Sequence, residues 1–152
     1  MTTLRSATPS DLENLTDLFE AYRAFYEKTP DREGARQFLK DRMERGEAEI
    51  FIALEDGVAV GFAQLYPLFS STRMKRLWLL NDLFAAPEHR GKGISKLLLE
   101  RAKQLAHETG AREIMLETAK TNDIGNQLYP SAGFELGTDF NWYHWEPQNT
   151  HG

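Results

Sequence analysis

Apolar positions recur along this chain with two different periods. Leu12, Leu15, Leu18, Phe19, Tyr22, Phe25 and Tyr26 return at three- and four-residue steps, which predicts a helix with one apolar face. "TPSD" opens it, with Thr8 as N-cap, Pro9 at the first helical position and Asp11 in the first turn, and "KTPD" breaks it. A second helix is predicted from Arg32 to Arg45, with Phe38, Leu39 and Met43 inward. "TTLRSA" is a short first strand. "EIFIALE" and "VAVGFAQLYPLF" flank Asp56-Gly57, a strong hairpin signal. "RLWLLNDLFA" is nearly continuous in apolar residues, so it is expected as a central strand covered on both faces. Asn81 and Asp82 interrupt it, and two polar residues in a buried strand need a reason.

A third helix runs from Ile94 to Thr109 and stops at Gly110. "REIMLETA" is expected as another strand, "NDIGNQLYPSAG" as a short helix stopped by Gly133, and "FELG" and "NWYHWE" as two last strands. The predicted order is β-α-α-β-β-β-α-β-α-β-β. That is an α/β sandwich around a mixed, mostly antiparallel sheet flanked by helices, in one domain over residues 1–152.

Charge and composition narrow the function classes. The formal net charge of −5 argues against a nucleic-acid footprint. Without cysteine there is no disulfide framework and no thiol nucleophile. No run approaches the roughly 18 apolar residues of a membrane span, and "MTTLRSATPSD" has no apolar signal core. His89, His107, His144 and His151 lack metal-ligand spacing. The expectation is a cytoplasmic protein without a metal, a membrane or a nucleic-acid partner.

The stretch "APEHRGKGISKLLLERA" carries the first chemistry. Gly91 and Gly93 remove side chains where a strand turns into a helix. The first N–H groups of a helix lack intrahelical partners and carry the positive end of its dipole, so such a turn suits a phosphate or pyrophosphate. Arg90 and Lys92 add charge at its rim. A Walker loop needs G-x-x-x-x-G-K-[ST], which is absent, and Lys96 stands where a Rossmann loop needs its third glycine. A glycine-bearing loop without a ligand is the plainer alternative.

Arg90-Gly91-Lys92-Gly93-Ile94-Ser95 resembles the [RQ]-x-x-G-x-[GA] signature of the GCN5-related N-acetyltransferases, with Ser95 in place of the usual glycine or alanine. A second block agrees: Asn122, then Leu128-Tyr129, then Gly133-Phe134, with Gly125 where that helix commonly has alanine. The order of elements fits the family from about residue 2 to residue 146, and the motifs lie between 76 and 134. "AYRAFYE", "LNDLF" and "LYPSAGF" look most like the branch that acetylates polyamines or histone-type lysines.

The resemblance implies transfer of an acetyl group from acetyl-coenzyme A to a primary amine in a ternary complex, without a metal. It implies that the pyrophosphate sits on the amides of Arg90, Gly91, Lys92, Gly93, Ile94 and Ser95. The pantetheine arm would lie beside Leu83, Phe84 and Ala85 and pair with their main chain, as a peptide adds to a strand edge. The strand must then splay from "REIMLETA", and the irregularity is expected at Asn81-Asp82 as a β-bulge. The Phe84 N–H is the expected oxyanion donor. Asn122 is expected at the cofactor, or as a helix N-cap, and the two roles are compatible.

Tyr129 lies at the family position of the acid that protonates the departing thiolate, and an unperturbed phenol near pKa 10 stays protonated at neutral pH. A packing aromatic is its alternative. Where the polyamine branch typically has Glu-Asp, this chain has Asn81-Asp82. Asn81 cannot be a base, so Asp82 orients the substrate, accepts the proton through water, or both; Glu117 is a second candidate, and a structural ion pair is the alternative for each. Tyr22, Phe25, Tyr26 and Tyr66 are expected as substrate walls or as core packing. "FNWYHWE" is dense in aromatics and is expected to face a partner subunit, giving a homodimer. The competing functions are a non-catalytic acetyl-coenzyme A or coenzyme A binding module and, last, a nucleotide-phosphate hydrolase. The identity of the acceptor amine stays open.

Overall fold

The computed structural model describes residues 1–148. It divides into two compact units, Met1–Glu117 and Thr118–Gly152. The first holds β1 (Thr2–Ser6), α1 (Leu12–Phe25), α2 (Arg32–Glu44), β2 (Glu49–Glu55), β3 (Val58–Ser70), β4 (Lys75–Ala85), α3 (Ile94–Thr109) and β5 (Glu113–Met115); the second holds α4 (Asp123–Ser131). The sheet order is β1-β2-β3-β4-β5, with three antiparallel pairings and a parallel one between β4 and β5. The fold is the expected α/β class, an open mixed sheet of five strands flanked by helices.

Local rules set most of the boundaries. Thr8 and Asp11 form a capping box, but around one 3₁₀ turn, Pro9–Asp11, that precedes α1. Asp31 caps α2 by accepting from the Gly34 N–H at 3.0 Å. Glu55 pairs with Val58 across Asp56 and Gly57, whose φ angles of 52° and 83° make a type I′ hairpin.

Each sheet face has its own helices. Leu12, Leu15 and Leu18 of α1 and Leu39 of α2 bury against Ile50, Phe62 and Phe84. α3 buries Ile94, Leu98, Leu99, Ala102 and Leu105 along the opposite stripe, while Leu97 of the same run is exposed. A fully buried leucine is worth about 1.5–3 kcal/mol, so these two stripes are the main driving force of the first unit.

The β-bulge falls where the two polar residues interrupt β4. Gln64 pairs with Asp82, but the next residue, Leu65, pairs with Leu80, so Asn81 has no partner. One extra residue reverses the alternation of side chains. Trp78 donates its indole N–H to Thr109 at the end of α3, whereas Phe84 packs edge-on to Tyr22 of α1. Residues 78 and 84 would share a face in a regular strand; the bulge sends them to opposite faces.

Two expectations fail at the C-terminal side. "REIMLETA" forms only the three residues of β5, so Glu117 lies outside the strand. No strand forms over residues 134–148, although "FELG" and "NWYHWE" have strand-like composition. Strand propensity is mostly the packing of a side chain against cross-strand neighbours, so strand-like composition alone does not make a strand. His151 falls outside the described residues.

Candidate active site

Asp82 is the buried carboxylate of the first unit's sheet. It is buried, and its carboxylate accepts a hydrogen bond from Gln64 Nε2 at 2.8 Å and from Asn81 Nδ2 at 3.1 Å to each oxygen. All three bonds come from neutral amides, which hold a carboxylate without neutralising it. Gln64 is itself fully buried, and its Oε1 has no hydrogen-bond partner. A buried, unpaired acceptor is uncommon in a native fold and costs about 1–3 kcal/mol. Gln64 is the residue that sequence reasoning missed. Its signal was a lone amide inside the apolar run "VAVGFAQLYPLF", the same kind of interruption that drew attention to Asn81.

Tyr66 stands two residues along β3 from Gln64 and so on the same face. Burial, and then the charge of Asp82, push its phenol up to about 12, while Arg42 acts in the other direction. Tyr22 meets Phe62 and Phe84 edge-on, with ring centroids 5.7 Å away in each case. Tyr26 packs on Tyr22, and Phe25 on Tyr26; both outer rings are exposed. The expected substrate aromatics therefore form a graded series, from a half-buried Tyr22 that supports the core to rings open to solvent.

The glycine turn has the backbone expected of an anion cradle. Gly91 and Gly93 have φ of 83° and 79°, and a Cβ built at either would meet nothing within 4 Å. Gly93 is the N-cap of α3 and no side chain caps the helix; Leu97 N–H, bonded to the Gly93 carbonyl at 3.0 Å, begins the ladder. The amides of Ile94, Ser95 and Lys96 thus precede the first helical bond. The rim charges already have partners within the first unit. Arg90 turns its guanidinium over the rings of Phe25 and Phe84 and donates from Nε to the Ala85 carbonyl, and Lys92 pairs with Glu55 at 3.2 Å.

Main-chain direction corrects the expected oxyanion donor. The Ala86 N–H donates to Val60 at 2.8 Å, so residue 86 faces β3. In an antiparallel ladder this direction alternates. Phe84, paired with Phe62, therefore turns its N–H to β3 as well, and Leu83 and Ala85 turn theirs the other way. On that other side the β4–β5 ladder has ended at Leu79 and Met115. The splay is present, and Leu83 and Ala85, not Phe84, offer main-chain groups to it.

The remaining predicted residues are described within their own units. Glu117 is exposed at the end of the first unit. Within the second unit, Asn122 is the N-cap of α4: its Oδ1 accepts from Gly125 N–H at 3.1 Å and its Nδ2 donates to Thr118 at 2.8 Å. Tyr129 lies on α4, half-buried, edge-on to Phe134 at 6.0 Å. A cleft of about 540 Å³ beside Phe69, Arg76 and Trp78 contains none of the predicted site residues.

An uncapped glycine turn, an open strand edge and a buried carboxylate at a bulge are what acyl transfer to an amine asks of a scaffold, and comparison with known proteins agrees. The sequence model of the Acetyltransferase (GNAT) family matches residues 15–134. The chain belongs to that family and is an acyltransferase. It is 44% identical over 140 residues to the uncharacterized N-acetyltransferase YhfO of Bacillus subtilis (strain 168), covering 92% of this chain and 94% of the relative. A crystal structure of a probable acetyltransferase aligns with a TM-score of 0.93 at 37% identity, over 97% of this chain and 99% of that one. Aminoglycoside N(6')-acetyltransferase type 1 of Salmonella typhimurium (strain LT2) is 30% identical over 88 residues, 56% of this chain and 61% of its own length.

Proposed function

We propose that the protein transfers the acetyl group of acetyl-coenzyme A to a cationic primary amine, of the polyamine, small-amine or lysine type, in a single domain spanning both units and in the cytoplasm. The carrying observation is Asp82: a buried carboxylate held by two neutral amides at a bulge, beside the open main-chain edge of Leu83 and Ala85. The residues present fit the donor. The uncapped start of α3 and the empty space over Gly91 and Gly93 suit its pyrophosphate, and the edge at Leu83 and Ala85 suits its amide-bearing arm. When bound, acetyl-coenzyme A supplies an activated acyl thioester.

The chain's own groups divide the remaining work. An acceptor amine near pKa 10.4 arrives as an ammonium, and Asp82 attracts that charge and takes the proton, directly or through water. The Leu83 N–H, turned to the open side, is the oxyanion donor in this reading. Tyr129 keeps the acid role that its family position implies. The polyamine-type branch is preferred on the anionic centre alone; the aminoglycoside relative acts on another polycation, which the same carboxylate would attract.

A thiol-release screen of polyamines, aminoglycosides, amino acids and lysine peptides tests this reading. Turnover is expected with polycationic amines, and Tyr129→Phe is expected to lower kcat about 100-fold with little change in affinity for acetyl-coenzyme A. Binding of acetyl-coenzyme A without turnover on any amine would instead support the non-catalytic module.

A further inference from the structure

A carboxylate from another strand reaches the glycine turn. Glu55 ends β2, 37 residues before Lys92, and faces both flanks of Arg90-Gly91. Its Oε1 accepts from Lys92 Nζ at 3.2 Å, and its Oε2 lies 3.4 Å from His89 Nδ1. β2 is paired to β1 on one side and β3 on the other, so the side chain is presented from a fixed element. Oε2 and His89 Nδ1 are both buried and neither has a hydrogen bond. Buried polar atoms are seldom left so without a use.

An acid beside an anion cradle opposes the ligand's charge, and its presence needs a reason. The turn supplies one. Glycine loses more conformational freedom on ordering than any other residue, and this turn has two, Gly91 and Gly93. Main-chain bonds bracket it: the Arg90 N–H donates to the Pro87 carbonyl at 3.3 Å, and the Leu97 N–H to Gly93 at 3.0 Å. Between those two bonds, the Lys92 amine ties the turn to β2. Ordering a binding loop before its ligand arrives raises affinity, because the ligand no longer has to offset that cost. The opposing repulsion is the weaker effect, since Lys92 already balances the Glu55 charge and salt screens what is left.

We propose that Glu55 is a positioning residue for the acetyl donor. It holds Lys92 and His89 on either side of Arg90-Gly91 and so sets the glycine turn in the shape that takes a pyrophosphate. This rests on the donor assignment proposed above. Glu55 touches no part of the donor and acts through its two partners. A small movement of the Pro87–His89 turn toward Oε2, with His89 donating from Nδ1, supplies the hydrogen bond that both buried atoms lack.

Calorimetry with coenzyme A on Glu55→Gln, Lys92→Met and the double variant tests this. Glutamine keeps the shape of Glu55 and removes its charge. Glu55→Gln is expected to raise the Kd about tenfold, and the loss in the double variant is expected to fall short of the product of the two single losses. In steady state, Glu55→Gln is expected to raise the KM for acetyl-coenzyme A and to leave kcat at saturating donor at its wild-type value, a split that a general loss of folded protein would not give. Tighter binding by Glu55→Gln would mean that repulsion dominates, and an unchanged Kd that the tether is idle; either result overturns the proposal. A double variant whose loss equals the full product overturns the route through Lys92. If the wild-type protein binds no coenzyme A, the donor assignment falls and this proposal with it, whereas wild-type binding with an unaffected Glu55→Gln overturns the positioning role alone.

Discussion

Trp78 and Trp142 occupy stretches of similar composition and have opposite surroundings. Trp78, in β4, is 4% exposed and donates its indole N–H to Thr109 at 2.9 Å. Trp142 is 73% exposed and is stacked on His144. "RLWLLNDLFA" and "FNWYHWE" both read as strands, but only the first forms one, pairing with β3 on one side and, over three residues, with β5 on the other. An apolar run therefore states a demand for burial, and topology decides whether its own chain meets that demand. In β4 the demand is met, and a single bulge leaves the Asp82 carboxylate buried and held by neighbouring amides. In residues 134–148 Phe140, Trp142, Tyr143 and Trp145 are exposed and no strand is formed.

The sharpest way to break this contrast is to delete Asn81. Without the extra residue, either Trp78 loses the α3 face or Asp82 and Phe84 lose the α1 face, because the alternation of a regular strand admits no third outcome. We expect a loss of more than about 4 kcal/mol in chemical denaturation, beyond the usual range for a single change. A deletion variant within about 1 kcal/mol of wild type would show that the bulge can migrate and does not set the two faces.

Much of this architecture was legible from residues alone. The Asp56-Gly57 turn, the helix that Gly110 ends, the bulge at Asn81 and the uncapped glycine turn before α3 each follow from a local rule that holds whatever surrounds it. Other features were not legible, for stated reasons. The direction of the Phe84 N–H depends on which cross-strand pairs share hydrogen bonds, a property of register and not of composition. The partners of Arg90 and Lys92 at the rim were not legible, because Phe25 and Glu55 are distant in sequence. The last two strands were assigned on propensity when pairing was the deciding term. Gln64 escaped because one amide in an apolar strand gains meaning only from Asp82 opposite it.

Gln64→Leu is the next test, and it acts on the inner member of the comparison without touching the outer one. Leucine retains the bulk and removes the donor to Asp82 Oδ2. A hydrogen bond to a charged group is worth about 1.5–3 kcal/mol, so kcat/KM for the amine is expected to fall about tenfold or more. The KM for acetyl-coenzyme A is expected to stay unchanged. Wild-type kcat/KM in this variant would mean that Asp82 is held well enough by Asn81 and that Gln64 is a packing residue only.

The smallest expected effect separates the two regions by pH. Asp11 accepts Arg5 at 2.6 Å and 2.8 Å, together with the Thr8 N–H, and its carboxyl is lowered to about 2, with the Arg5 hydrogen bond as the largest cause. A depressed carboxyl contributes stability above its unfolded value of 3.8, and that contribution fades as pH falls through about 2. Arg5 is half exposed, so after solvent screening Arg5→Ala is expected to lower the stability of the first unit only slightly at pH 7. The variant and wild type are then expected to converge in stability as the pH approaches 2, since protonated Asp11 no longer distinguishes them. A stability difference that persists unchanged to pH 2 would assign the effect of Arg5 to packing of its stem instead of its charge.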